Sequence, residues 1–479
     1  MGRNRSNRKD RKGMSRRVFF GAAAGSAALA ALKASPVASV AHAQDRMLRD
    51  YVGRLCYNEN PLGPSPNAIA AMSASLDMGH RYPEWFAESL KSDLATLHDV
   101  DAGQIVAGCG ATEILRLCAY AFADPAGNVV SPQPSYNQFP GDAEFLGAEV
   151  RYADLDVNYR VDLGRLDSLV NMDTTAVIIT NPNNPTGPVL AATDLASFID
   201  SMPPGVVVII DEAYHEYVQD VNYESAMEQV RQDKNVVVVR TFSKVFGMAG
   251  IRVGYAVGKQ ELISSMKSWH LFATISRPGI EAARAALTDS QHITDSVTLN
   301  EQAKQYCYSE LTAMGLEYIP SESNFFMVDV GSANYVHSEL EDRGIKVRTY
   351  QSMPDHIRVS TGTMQEMEDF IAALLEILSA DVPAGAIPKT TALYGNYPNP
   401  ARGVTRITYW LSKPSDVRLQ VFDIRGRLVR TLVQQRQPAG QYNPGWDRID
   451  QAGRPVTAGT YFCKLEAGDF EQVRRMILL

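Results

Sequence analysis

The stretch Arg240-Thr241-Phe242-Ser243-Lys244-Val245-Phe246-Gly247-Met248-Ala249-Gly250-Ile251-Arg252-Val253-Gly254 decides how this 479-residue chain is read. It continues an apolar run, Val236 to Val239, so Lys244 stands just past the carboxyl end of a strand and Arg252 follows one loop later. In an open parallel sheet that end faces the crevice where ligands bind. A lysine there can form an imine with an aldehyde cofactor, and the hydroxyls of Thr241 and Ser243 with the Arg252 guanidinium can grip a phosphate. Taken singly, a lysine after a strand is most often a solvated charge. The neighbouring motifs give it another meaning.

Two more apolar runs end in polar residues. Ala176 to Thr180 leads into Asn181-Pro182-Asn183-Asn184-Pro185-Thr186-Gly187, and Val206 to Ile210 leads into Asp211-Glu212-Ala213-Tyr214. If all three runs are strands of one parallel sheet, their carboxyl ends share one crevice, and Asp211, Asn184 and Lys244 meet there. A carboxylate such as Asp211, paired to the nitrogen of a pyridine ring, keeps that nitrogen protonated and lets the ring draw electrons from a breaking bond. Tyr214 and Asn184 can donate hydrogen bonds to a phenolate oxygen on the same ring. A third turn, Gln104-Ile105-Val106-Ala107-Gly108-Cys109-Gly110-Ala111-Thr112-Glu113-Ile114-Leu115, puts glycines where backbone amides approach an anion at the start of an amphipathic helix. It reads as a phosphate cradle.

In this order the motifs resemble the fold-type I aminotransferases that use pyridoxal 5′-phosphate, specifically the histidinol-phosphate aminotransferase branch. The resemblance implies an α/β fold: a large domain with a mixed, mostly parallel sheet, at about residues 80–290, and a small α+β domain from residues 44–79 and 291–380. Lys244 is then the catalytic residue and carries the cofactor. Ala111, where the family usually has serine, and Thr112 hold its phosphate with Thr241, Ser243 and Arg252, and Tyr136 stacks on its ring. Tyr82, in Arg81-Tyr82-Pro83, matches a tyrosine that reaches the neighbouring subunit's cofactor phosphate, which implies a homodimer.

Substrate recognition is expected from both ends of the region. Asn60, in Asn58-Glu59-Asn60-Pro61-Leu62-Gly63-Pro64-Ser65-Pro66, resembles the family's asparagine that helps close the site. Arg358, in Ile357-Arg358-Val359-Ser360-Thr361-Gly362, presents a planar fork suited to a substrate α-carboxylate, a geometry lysine lacks. Arg348 matches a position that contacts the substrate phosphate in histidinol-phosphate enzymes. The expected reaction moves an amino group between an L-amino acid or amino-alcohol phosphate and a 2-oxo acid. A decarboxylase or lyase on the same fold shares every motif quoted, and a surface-display protein with an incidental enzyme module is a third reading. No histidine or cysteine spacing points to a metal, and Cys109 reads as a small packing residue.

Residues 1 to 17 carry eight Lys or Arg and one Asp, ending in Ser15-Arg16-Arg17-Val18-Phe19-Phe20 before a short, weakly apolar run from Gly21 to Leu32. This reads as a twin-arginine export signal with cleavage after Ala41-His42-Ala43, and the run is too short to span a bilayer. The expected address is periplasm, cell surface or medium. Removing residues 1–43 takes away nine basic residues and one acid, so a formal charge of −8 becomes −16, which disfavours nucleic acid and anionic membranes as partners. The five cysteines lack pairing motifs, so the core must supply the stability.

After a helix at Met364 to Leu378, residues 381–393 have the proline and glycine content of a linker. From residue 394 the periodicity changes: Val417, Leu419 and Val421 alternate with Arg418, Gln420 and Phe422, and glycine turns recur between short strands, as in a β-sandwich. This tail carries 13 basic and 7 acidic residues, a net of +6, against −22 for the segment before it. Tyr397-Pro398-Asn399-Pro400, Val421-Phe422-Asp423-Ile424-Arg425-Gly426-Arg427, Trp446-Asp447 and Ala458-Gly459-Thr460-Tyr461 resemble the immunoglobulin-like domain of the flagellar hook-capping protein. That module also serves as a sorting domain on exported bacterial proteins, which makes cell-surface or secretion machinery an expected partner. Replacing Arg16 and Arg17 together by lysine is expected to keep unprocessed enzyme in the cytosol, because the export receptor reads paired guanidinium groups rather than charge. Cell fractionation with the amino-terminal mass of the product checks this, and processed protein outside the cytosol would contradict it.

Overall fold

The computed structural model describes residues 52–379, 391–397, 401 and 403–479. The segment expected to be an export signal, most of the linker and Pro398-Asn399-Pro400 therefore lie outside the described residues. The core of the chain is a seven-stranded sheet in the order Ile105–Gly108, Gly254–Gly258, Val236–Thr241, Val207–Asp211, Thr174–Thr180, Asn128–Gln133, Glu149–Asp154. Pairing is parallel from Val236–Thr241 to Glu149–Asp154, and Gly254–Gly258 runs antiparallel between the first and third strands. The valine and isoleucine runs form central strands because both faces are covered. Val177, Ile179, Val208, Ile210 and Val238 face one apolar layer, while Ala176, Ile178, Val207, Ile209 and Val239 face the other.

The parallel register fixes the working edge. Thr180 lies opposite Asp211, and Asp211 opposite Val239, so the segments holding Asn184, Asp211 and Lys244 leave the sheet at one level. Gly254 allows the cradle turn to come close: a Cβ there would lie 2.4 Å from the Ala111 amide nitrogen.

A second layer holds a four-stranded antiparallel sheet in the order Arg348–Tyr350, Met353–Ser360, Phe325–Asp329, Tyr318–Ile319. The helices Ser290–Met314, Ala333–Asp342 and Met364–Ser379 share its apolar core. Arg348 and Arg358 are register partners on neighbouring strands. The helix Pro66–Ala74, expected with this smaller layer, packs instead on Arg277–Leu287, and its Ala68 is buried in the core of the large sheet.

The tail forms two four-stranded antiparallel sheets. One holds Ala392–Tyr397, Thr405–Leu411, Gly440–Tyr442 and Gly445–Trp446. The other holds Leu428–Gln437, Ser415–Asp423, Gly459–Ala467 and Phe470–Leu478. Val417, Leu419 and Val421 point inward with Tyr409 and Trp446, as their alternation requires. One aromatic does something else: Trp410, 2% exposed, is buried in the apolar cluster of the small layer, and Ala392 packs beside it. The tail is thus docked on the enzyme body rather than tethered. Trp410→Ala is expected to destabilise the folded chain by about 3–5 kcal/mol, the usual loss for a buried large aromatic. A denaturant titration followed by fluorescence checks it, and an unchanged midpoint would refute the docking.

Candidate active site

A cavity of about 620 Å³ opens along the carboxyl edge of the central strands, and Lys244, Asp211, Asn184, Tyr214, Arg252 and Arg358 all line it. Lys244 follows the strand Val236–Thr241, and its Nζ donates to the carbonyls of Tyr57 at 3.0 Å and Asn58 at 3.1 Å. Burial, then the nearby Arg358 guanidinium, lowers its pKa from 10.5 to about 7, a range where the amine can give and take a proton. Asp211, 2% exposed, ends its strand and accepts from the Ala213 amide at 3.2 Å. Burial pushes its carboxyl up to about 7, with the Ala213 amide and Lys244 pulling the other way.

At the opposite end the helix Gly110–Phe122 begins at the cavity. Gly110 has φ +78°, and a Cβ on it would lie 2.5 Å from an Arg252 guanidinium nitrogen. Arg252, itself left-handed at φ +65°, donates to the Ala249 carbonyl at 2.9 Å and the Ser243 hydroxyl at 3.3 Å. Thr241, Ser243, Ala111, Thr112 and Tyr136 complete this end. Donors of this kind around a helix start fit a phosphate.

Arg358 comes from the small layer. It donates to the Asn184 side-chain oxygen at 2.7 Å and the Cys56 carbonyl at 2.8 Å, while its buried Nε has no hydrogen-bond partner. A buried guanidinium with an unsatisfied Nε–H in a cavity wall suits a carboxylate. Arg348 lines the rim, and Tyr350, between the two arginines, is also in the wall.

Of the residues singled out in the sequence, Asn60 and Tyr82 do not line this cavity. The Asn60 amide is spent on the Val245 carbonyl at 2.7 Å and the Ser296 hydroxyl at 2.8 Å, pinning the entry segment to the loop after Lys244. Tyr82 is 76% exposed and lies against Phe272, with ring centroids 5.5 Å apart. Conversely, Asn58, Tyr57, Tyr350 and the Cys56 carbonyl were not singled out. Asn58 stands in the same segment as Asn60 and lines the cavity with a left-handed φ of +55°.

The residues present fit pyridoxal phosphate. A buried carboxylate without a cation in hydrogen-bond contact matches a protonated ring nitrogen, the glycine-lined cradle matches the phosphate, and the lysine lies between them. Residues 52–374 match the family described as aminotransferase class I and II. The chain belongs to the class I and II aminotransferases. It is 37% identical over 330 residues to a histidinol-phosphate aminotransferase of Symbiobacterium thermophilum, covering 68% of this chain and 90% of that protein. Its fold is similar, at TM-score 0.65 and 26% identity, to histidinol-phosphate aminotransferase from Sinorhizobium meliloti in complex with pyridoxal-5′-phosphate, over 68% of this chain and 90% of that one. It also shares its fold with L-threonine-O-3-phosphate decarboxylase from Porphyromonas gingivalis, at TM-score 0.60 and 21% identity, over 68% and 99% of the two chains. Residues 399–469 match the FlgD Ig-like domain. The enzyme is a pyridoxal phosphate-dependent aminotransferase with an immunoglobulin-like tail. Among the described residues no helix is long and apolar enough to cross a membrane, and no cluster of side chains could hold a metal ion.

The shifted groups make the stability of the cofactor-free aminotransferase depend on pH in two windows. Folded Asp211 keeps its proton to about pH 7 but the unfolded chain releases it near 3.8, so this group's contribution falls as pH rises between those values. Folded Lys244 releases its proton near 7 and unfolded Lys244 near 10.5, so its penalty is full below 7 and is relieved as pH rises to 10.5. Asp211→Asn is therefore expected to gain thermal stability relative to wild type across the lower window. The advantage of Lys244→Met over wild type should shrink across the upper one. Parallel melting curves for the three proteins would refute this.

Proposed function

We propose that this aminotransferase moves an amino group between an L-amino acid, or an amino-alcohol phosphate of the histidinol phosphate kind, and a 2-oxo acid, with Lys244 as its catalytic residue. The observation that carries the reading is the Lys244 amine, brought to about pKa 7 in a cavity that Asp211 and the unsatisfied Arg358 guanidinium also line. The names of the relatives support the phosphate-bearing substrate.

Bound pyridoxal phosphate supplies an electron sink for charge developing at the substrate α-carbon. Asp211 would hold the positive charge on the ring nitrogen. The amides of Ala111 and Thr112, the hydroxyls of Thr112, Thr241 and Ser243, and Arg252 would hold the phosphate, with Tyr136 against the ring. Tyr214 and Asn184 would donate to the ring oxygen. Lys244 Nζ would take the proton from the substrate α-carbon and return it two bonds away, across the nitrogen, which its lowered pKa allows near neutral pH. Arg358 would take the α-carboxylate, and Arg348 at the rim would take a distal anion.

Two further parts of the reading concern assembly and address. The exposure of Tyr82, Phe272, Leu271 and Trp269 on one face supports a homodimer in which Tyr82 reaches the partner's cavity. Residues 1–43 direct export of the folded, loaded enzyme, and the immunoglobulin-like tail serves sorting or attachment outside the cytosol.

Lys244→Ala is expected to abolish both turnover and the bleaching of the enzyme's visible absorbance by amino acids, and product analysis should find a keto compound. Carbon dioxide release in its place would make the enzyme a decarboxylase. Arg358→Ala should lower kcat/KM for every α-amino acid by about 30-fold, or about 2 kcal/mol, through a lost charge-assisted pair. Arg348→Ala should matter only for substrates with a distal anion, so equal losses for histidinol phosphate and a neutral amino acid would sink its assignment.

A further inference from the structure

Asn58 sits at φ +55° in the wall of the cavity and bonds to three parts of the site at once. Its backbone carbonyl accepts from Lys244 Nζ at 3.1 Å and from the Asn324 amide at 3.1 Å. Its backbone N–H donates to Ser360 Oγ at 2.8 Å, and Ser360 Oγ donates back to Asn58 Oδ1 at 2.8 Å. Its Nδ2 lies 2.9 Å from the Tyr214 hydroxyl.

These bonds fix hydrogen directions. Ser360 Oγ accepts the Asn58 backbone N–H and gives its own proton to Oδ1, which holds the Asn58 amide with its oxygen toward Ser360. Nδ2 must then donate to the Tyr214 oxygen. The same logic holds on the other side. Arg358 has only donors, so the Asn184 oxygen must accept from it, and Asn184 Nδ2, 3.3 Å away, also donates to Tyr214. With two amides donating to its oxygen, Tyr214 has one direction left for its own proton, away from both asparagines and toward the cavity. Accepting those bonds also makes the hydroxyl a better donor.

We propose that Asn58 is a positioning residue that aims the Tyr214 hydroxyl proton at the cofactor's ring oxygen, with Ser360 locking the Asn58 amide in the orientation that does so. The inference rests on the assignment of this cavity to the cofactor and adds a residue pair to it. The tyrosine is then held as a donor before the cofactor arrives, through a segment near the start of the enzyme domain and a strand from the small layer.

The test is the pH midpoint of the visible absorbance change in the loaded enzyme, with cofactor stoichiometry and melting temperature measured alongside. Asn58→Gly suits the left-handed backbone and keeps the carbonyl that faces Lys244. It is expected to load cofactor and shift the midpoint upward by about half a unit to one unit, the size of one hydrogen bond's effect on a titration. Ser360→Ala, which frees the amide, should shift it in the same direction by less, and it serves alone if Asn58→Gly does not fold. Because Asn58 acts through the tyrosine, adding Asn58→Gly to Tyr214→Phe should produce no further shift. A loaded variant with an unmoved midpoint, or shifts that add in the double variant, would overturn the proposal. A wild-type protein that takes up no cofactor would instead defeat the assignment of the cavity.

Discussion

Parallel registration of three buried strands is the constraint on which the site depends. Thr180, Asp211 and Val239 are held at one level by main-chain hydrogen bonds that cannot slip without moving every apolar side chain into the wrong layer. The segments that follow must therefore leave the sheet together, whatever their sequences. Asp211, Asn184 and Lys244 are polar residues placed where the apolar runs stop, and the register converts three separate positions along the chain into one wall. The antiparallel strand Gly254–Gly258 extends that wall, and its first glycine lets the Ala111 amide approach from the neighbouring helix.

The same burial that fixes the register makes the site costly. Asp211 and Lys244 both lie in surroundings that disfavour their charged forms, so without a ligand each is pushed toward neutrality from opposite directions. Beneath them the chain solves a similar problem internally. Glu212, next to Asp211, is fully buried but takes Arg240 at 2.7 Å, and it also accepts from Ser225 and the Ala226 amide. Adjacent carboxylates thus have opposite fates: one is satisfied by the protein, and the other faces the cavity with a single backbone donor. That contrast marks Asp211 as the group reserved for a ligand.

Much of this was legible in the sequence, because it follows from where apolar runs end and from which residue types follow them. The strands, the cradle and the alternation of Val417, Leu419 and Val421 all follow from local pattern. What was not legible depends on backbone conformation and on contacts far along the chain. Asn58 and Asn60 are two residues apart in one motif, and it is contacts far along the chain that part them: the Asn60 amide is held by Val245 and Ser296, while Asn58 bonds Ser360 and Tyr214 in the cavity wall. Tyr350 enters the wall because its strand pairs with the one that carries Arg358, a register shifted between Thr349 and Tyr350. The helix Pro66–Ala74 has an apolar face that suits either layer, and its packing on Arg277–Leu287 is a tertiary choice.

Trp410 shows the limit of periodicity most clearly. Its strand alternates as a sandwich strand should, which places Ile407, Tyr409 and Leu411 in the sandwich core and leaves Trp410 on the outer face. An outward tryptophan reads as an exposed aromatic until the partner surface is known, and that surface is the small layer of the enzyme. The opposite net charges of tail and body would draw the two together only weakly in salt: the ion pair between Arg474 and Glu317, at 3.5 Å, has a mostly exposed carboxylate. Apolar burial of one large ring outweighs it. The tail is therefore fixed to the layer that carries Arg348 and Arg358, through the helices Ser290–Met314 and Met364–Ser379 that cover its sheet.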